Sequence, residues 1–231
     1  MVSLRRLQYT LNPLELAKGI LVRKLTACIR IKPELSSDLE PFIHSVTDAK
    51  ALETLRLLEA RAAIIYWSAW TIPLKWKEKR IPEDWNHFSQ RASGISGKGY
   101  KASHPINALL NYAYAILAGQ VERTAQLAGL DVAVGSLHAD QDGRPSLVFD
   151  LMEPLQPVVD QAILYWAGDQ RWQRADFVVD RQGVVRLHPQ LGRVTVFKAM
   201  LPEATVRDEV RHYVKTLQQF GESDCRLAAV G

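Results

Sequence analysis

The sequence predicts a mainly α protein, a multi-helix domain with one small peripheral β-hairpin. Three observations carry that expectation. Apolar residues recur with the helical period over long stretches, most clearly Ile106, Leu109, Leu110, Ala113, Tyr114 and Leu117. Capping residues and prolines stand where such stretches begin, as in Asn12-Pro13 and Ser103-His104-Pro105. Strand-like segments are confined to one short pair, Asp176–Asp180 and Val184–Leu187, joined by Arg181-Gln182-Gly183.

Composition sets the outer limits. The chain has 231 residues, 47% hydrophobic and 23% charged, as expected of an ordinary globular protein able to bury a core. No boundary splits it convincingly, so a single domain over 1–231 is expected. Apolar runs are too short to span a bilayer and Met1–Arg6 is not followed by a secretory apolar segment, which points to a cytoplasmic protein with no membrane partner. Cys28 and Cys225 lie far apart without a CxxC spacing and read as ordinary thiols. Lys and Arg total 29 against 25 acidic residues, a balance of +4 that permits an anionic partner without requiring one.

In chain order, Asn12 caps a helix with Pro13 in its first turn, and Pro33 ends it. Leu14, Ala17, Leu21, Lys24, Leu25 and Cys28 keep its period, and Lys18, Arg23, Lys24 and Arg30 give it either a solvated basic surface or a phosphate-contacting one. A short helix is expected over 38–44. A longer one, capped by Thr47-Asp48, is expected to reach about Trp70. Its apolar stripe is Leu52, Leu55, Ala62, Ala63, Tyr66 and Ala69, and Glu59 falls inside it. An ionised carboxylate aimed at a core costs several kcal/mol without a partner, so Glu59 should be protonated, paired with Arg or Lys, or bound to a metal.

Residues 72–103 break into a loop whose Ser93–Lys101 segment is small and basic. Arg91, Lys98 and Lys101 suit a basic arm on nucleic acid, and Trp76 and Trp85 either stack on bases or anchor the loop in the core. The helix opened by Pro105 ends near Ala128-Gly129, with Asn107 and Asn111 one turn apart on its flank. Most of 146–166 is expected to be helical, distorted at Pro154 and Pro157. Asp150, Glu153 and Asp160 then project from one side, a face that needs a cation or a basic partner, and His138 lies fifteen residues before Glu153 as a candidate co-ligand. The stretch 189–221 is helical again with a basic surface.

A mixed site of Glu59, His138 and Glu153, with Asp150 beside them, suits Mn²⁺ or Mg²⁺ better than zinc, and a divalent ion of that kind handles phosphodiesters. Spacing alone leaves ordinary ion pairs and a satisfied core histidine open as alternatives.

Four segments resemble the successive motifs of one family: Leu58-Glu59-Ala60-Arg61-Ala62-Ala63 with Tyr66, His104–Tyr114, Gly135-Ser136-Leu137-His138, and Ser146–Pro154. In order and interval they look like the CRISPR-associated spacer integrase, the metal-dependent endonuclease of CRISPR adaptation, over about 14–201. The resemblance implies that the family's metal-binding and catalytic residues fall on Glu59, His138 and Glu153, with Mn²⁺ or Mg²⁺ as cofactor. Asp150, Asn107 and Asn111 would then be supporting residues, and Arg91, Lys98, Lys101 and Arg144 would contact DNA. It implies cleavage or strand transfer on foreign DNA fragments and CRISPR repeat DNA, a small second adaptation subunit as partner, and a homodimer. Family members also carry a β-rich N-terminal domain, and this chain begins almost at the first helix of the catalytic domain, so that domain is expected to be lacking. A different reading is a DNA-binding or assembly module without productive integration.

Overall fold

The computed structural model describes residues 3–91, 101–138 and 144–228. Helices dominate it: α1 (Leu4–Thr10), α2 (Pro13–Ile31), α3 (Ser36–Asp48), α4 (Leu52–Ser68), α5 (Pro105–Leu127), α6 (Ser146–Met152), α7 (Gln156–Asp169), α8 (Pro189–Ala199) and α9 (Glu203–Ala228). Among the described residues six short strands accompany them: β1 (Ile72–Pro73), β2 (Lys75–Trp76), β3 (His87–Phe88), β4 (Arg171–Trp172), β5 (Phe177–Val179) and β6 (Val185–Leu187). Strands β5 and β6 pair antiparallel around Gly183, which takes a positive φ of 80°, and form the expected hairpin. Among the described residues no helix is long and apolar enough to cross a membrane.

Packing divides the chain into two compact units, Met1–Ala62 with Ala118–Gln156 and Leu201–Gly231, and Ala63–Leu117 with Pro157–Met200. In the first, the core is a set of helical stripes. Leu16, Ile20, Leu21, Leu25 and Cys28 of α2 are buried, as are Leu39 and Val46 of α3 and Leu55 and Ala62 of α4. Helix α6 adds Leu147, Val148 and Leu151, and α9 adds Val206, Val210, Tyr213 and Leu217 at i, i+4, i+7 and i+11. The start of α2 follows its sequence signal: Asn12 Oδ1 accepts the Leu14 N–H at 3.0 Å and Pro13 occupies the first turn. In the second unit, Tyr66, Trp70, Trp85, Phe88, Ile106, Leu109, Leu110, Ile163 and Phe177 are buried together with Trp172.

Several boundaries differ from expectation. Residues 4–10 are helical, because the Gln8 side chain donates to Asp131 O (3.0 Å) and accepts from Asp131 N (2.9 Å) and so docks α1 from a distance in sequence. Helix α3 runs through Asp48, and the Thr47 hydroxyl donates back to Ile43 O instead of capping α4. Loop 72–103 contains β1, β2 and β3. Trp85 is its core anchor, stacked on Trp76 at 5.8 Å and donating its indole N–H to Ser103 O. At Pro154, which lacks an N–H, the expected long helix stops and restarts as α6 and α7. Asp160 therefore does not share a helix with Asp150 and Glu153, and its carboxylate accepts instead from the Tyr66 and Tyr114 hydroxyls.

His104 closes the start of α5, its Nδ1 accepting the Ile106 N–H at 3.1 Å, a bond that requires the neutral ring. Burial outweighs the His87 backbone and pushes the imidazole down to about 4. Because the folded value lies below the unfolded one, stability is complete above the unfolded value and falls as pH drops toward 4. Between pH 7 and pH 5 urea denaturation should show a loss of about 2 kcal/mol from this group. His104→Asn, which keeps a capping acceptor, should remove that share of the slope; an unchanged slope would contradict the assignment.

Candidate metal centre

Three helices and a loop of the first unit bring the candidate residues together. The Lys24 ammonium, on α2, lies 2.5 Å from Glu59 Oε1 on α4 and 2.5 Å from Glu153 Oε2 at the end of α6. The two carboxylate oxygens are thus no more than 5.0 Å apart, the two contacts laid end to end. His138, in the loop before α6, points its Nε2 at Glu153 Oε1 across 3.8 Å. The contact between Lys24 and Glu59 is a directed hydrogen bond. The one to Glu153 is an ion pair without hydrogen-bond geometry, which leaves the buried Oε2 with no directed donor. Burial opposes the charge on Lys24, but the negative charges of the Glu153 and Glu59 carboxylates, with the hydrogen bond to Glu59, outweigh it and hold its pKa above the ordinary lysine value.

The His138 loop is fixed by a fully buried carboxylate. Asp150 Oδ2 accepts the backbone N–H groups of Ser136 (2.5 Å) and Leu137 (3.0 Å), and Oδ1 accepts that of His138 (3.0 Å). Oδ1 also meets His138 Nδ1 at 2.7 Å. A carboxylate only accepts, so Nδ1 carries the proton and Nε2 of the neutral ring presents its lone pair toward Glu153. Burial opposes a second proton on His138; the Asp150 hydrogen bond and the Glu153 and Asp150 charges favour it, against Arg144, and the net pKa is raised. A ligand cation at Nε2 would compete with that second proton.

Two further groups hold the same loop. Arg56 Nε donates to Leu137 O at 3.1 Å. Tyr213 of α9 is buried, which lifts its phenol above the ordinary value despite a hydrogen bond with Ser136. Gly135 is required by close approach, since a Cβ there would stand 2.7 Å from Ser146 Cβ and 3.0 Å from the Ser146 carbonyl carbon.

Of the residues singled out from sequence, Glu59, His138, Glu153 and Asp150 are thus brought together. Glu59 is paired with a lysine, one of the three states open to it. Arg144 sits close enough to oppose His138 protonation and lays its guanidinium 4.8 Å over the Phe149 ring. Asn107 and Asn111 belong to the second unit, where both side-chain oxygens accept from Arg91 at 2.9 Å. Arg91 also faces the Trp67 and Tyr114 rings, so much of its guanidinium is engaged inside the protein. Lys101 is half-buried, and Lys98 lies outside the described residues. Sequence reasoning missed Lys24, Arg56 and Tyr213 as members of the site.

Two carboxylates and one imidazole nitrogen form the hard-oxygen donor set, with a single nitrogen, that suits Mg²⁺ or Mn²⁺. The undirected buried oxygen of Glu153 fits the same need for a cation. Among the described residues no three of His, Cys, Asp and Glu are grouped as a ready ligand set, and the position between the two glutamates belongs to the Lys24 ammonium.

The helical fold is shared with solved structures. It resembles the structure described as a casposase bound to integration product (TM-score 0.77, 22% identity, 94% of this chain and 68% of that one). It also resembles a Cas1 protein from Thermotoga maritima (TM-score 0.76, 16% identity, 94% and 71%). The profile of the family described as CRISPR associated protein Cas1 matches residues 2–200, and the chain belongs to that family. Curated relatives named CRISPR-associated endonuclease Cas1 include one from Pyrobaculum aerophilum, 36% identical over 127 residues, 55% of this chain and 37% of that one. Another, from Archaeoglobus fulgidus, is 35% identical over 156 residues, 66% of this chain and 40% of that one. The chain thus matches well under two thirds of the length of these relatives.

Asp150→Asn replaces an acceptor of four donors by a group with one oxygen, and should cost about 2–4 kcal/mol in urea unfolding. Long-range ¹H–¹⁵N spectra should show His138 losing its single Nδ1–H tautomer; retention of that tautomer would contradict the orienting role. Gly135→Ala should cost about 1–3 kcal/mol because backbone, not a flexible side chain, must give way. A variant as stable as the wild type would show that the loop does not need that approach.

Proposed function

We propose that this chain is the catalytic portion of a metal-dependent DNA endonuclease and integrase of CRISPR adaptation. The observation that carries the proposal is the convergence of Glu59 and Glu153 on one cationic nitrogen, with His138 Nε2 facing the second of them. Family membership and the names of the relatives support the class of reaction. Glu59, Glu153 and His138 would hold Mn²⁺ or Mg²⁺, which when bound polarises a phosphodiester and lowers the pKa of an attacking water or 3′ hydroxyl.

The remaining roles belong to the chain's own groups. Asp150 keeps the proton on His138 Nδ1 and thereby directs Nε2 inward. The two glutamates supply the negative charge that makes the site selective for a cation, and burial of Glu153 keeps water from screening it. Arg144, whose charge opposes protonation of His138, is assigned to a DNA phosphate, with Lys101, Lys98 and the remaining donors of Arg91 as further contacts. Foreign fragments and repeat DNA are the substrates in this reading. Structures described as a Cas6-RT-Cas1–Cas2 complex share the fold (TM-score 0.70, 19% identity, 94% of this chain and 25% of that one) and support a small second subunit as partner. We extend the proposal to a homodimer in the cytoplasm.

A second reading, a DNA-binding or assembly module, draws on the same lysine, because Lys24 already partly neutralises the glutamates without any metal. The two readings separate cleanly. Supercoiled plasmid should be nicked, and a 3′-hydroxyl oligonucleotide joined, with Mn²⁺ but not with EDTA. His138→Ala and Glu153→Ala should each lower the rate by at least about 100-fold. Undiminished activity in both variants would reject the site, and salt-sensitive, chelator-insensitive DNA binding without cleavage in any metal would establish the module instead.

A further inference from the structure

Lys24 is the one basic side chain described between the two glutamates, and its place there is not that of an ordinary surface ion pair. Its side chain is 14% exposed, against 30% for Glu59 and 9% for Glu153. Two carboxylates from different helices, held this close with little water, repel each other and spread apart unless a cation lies between them. The ammonium supplies one positive charge to two negative ones, so the cluster keeps a net negative charge and remains attractive to a divalent ion. It also occupies the ground that ion needs. Its nitrogen stands 2.5 Å from both carboxylates, a separation within the range of cation–oxygen ligand distances, about 2.0–2.6 Å. An ammonium and a divalent ion that both bridge this same pair of oxygens would stand too close to coexist, so an ion that takes the bridging position displaces the ammonium.

We infer that Lys24 is an internal stand-in for the metal: a positioning residue that keeps Glu59 and Glu153 assembled in the metal-free protein and is displaced by the divalent ion. This deepens the metal-dependent reading above and rests on it. Two properties follow that a merely structural lysine would not have. The metal-free protein owes stability to Lys24 that the metal-bound protein does not. The metal's affinity is also lowered by the work of removing the ammonium, so Lys24 sets the concentration at which the site fills.

The test is Mn²⁺ binding by isothermal titration calorimetry on the whole 231-residue chain, beside thermal unfolding in EDTA and in Mn²⁺. Wild type is compared with Lys24→Met, which keeps length without charge, and Lys24→Gln, which keeps a hydrogen-bond donor. Both variants should melt lower than wild type in EDTA, bind Mn²⁺ at least about tenfold more tightly, and gain more in melting temperature on adding it. A variant that folds only with Mn²⁺ present supports the inference in its strongest form. Equal or weaker Mn²⁺ affinity in variants that fold, while wild type binds the ion, would overturn the inference and leave the metal-dependent reading standing. Variants that stay unfolded with Mn²⁺ would also overturn it, since Lys24 would then be needed by the fold itself. Failure of wild type and both variants to take up Mn²⁺ would remove the metal reading and this inference together.

Discussion

Two ionised carboxylates brought to one point from different helices repel each other unless a positive charge lies between them. At an effective dielectric of about 20, two unit charges 4 Å apart interact by about 4 kcal/mol, a large fraction of a domain's net stability. The sequence places Glu59 in an apolar stripe of α4, where it is half-buried, and Glu153 at the buried end of α6, so both are drawn out of bulk water. Lys24 resolves the conflict in this structure. The same conflict is what the proposed function draws on, because a negative, partly desolvated cluster beside an oriented imidazole would suit a divalent cation.

Orientation of the imidazole is a separate problem with a separate solution. Three consecutive backbone N–H groups, from Ser136 to His138, converge on Asp150, whose second task is to hold the Nδ1 proton. One buried carboxylate thereby fixes both the loop and the ring. Gly135 lets the loop approach α6, and Arg56 and Tyr213 hold it from α4 and α9. The site is thus carried by helices whose stripes are long and well buried, rather than by loop conformation alone.

Much of this was legible in the sequence where the governing physics is local. The caps and periodicities around Asn12-Pro13 and Ile106–Leu117 gave the helices, and Glu59 stood out because a charge interrupted an apolar stripe. The same signal existed for Lys24, three residues after Leu21 and four before Cys28, both buried. Grouped with Lys18, Arg23 and Arg30, it reads as part of a solvated or phosphate-contacting basic surface. Pairing the two misplaced charges, one per stripe, would have found the contact. What was not legible depends on distant chain segments: the docking of α1 through Gln8 and Asp131, the Arg56 and Tyr213 supports, and the diversion of Asp160 to two tyrosines once Pro154 had ended α6. No spacing rule reports such contacts, because each is decided by tertiary packing.

Glu59, Glu153 and His138 are proposed as one cation site. Anomalous diffraction at the manganese edge, from crystals of the protein grown with Mn²⁺, tests it most directly. A manganese peak is expected within ligand distance of a carboxylate oxygen of each glutamate and of His138 Nε2, with the Lys24 ammonium no longer between them. A peak elsewhere, or ordered Lys24 still bridging both glutamates at saturating Mn²⁺, would contradict it.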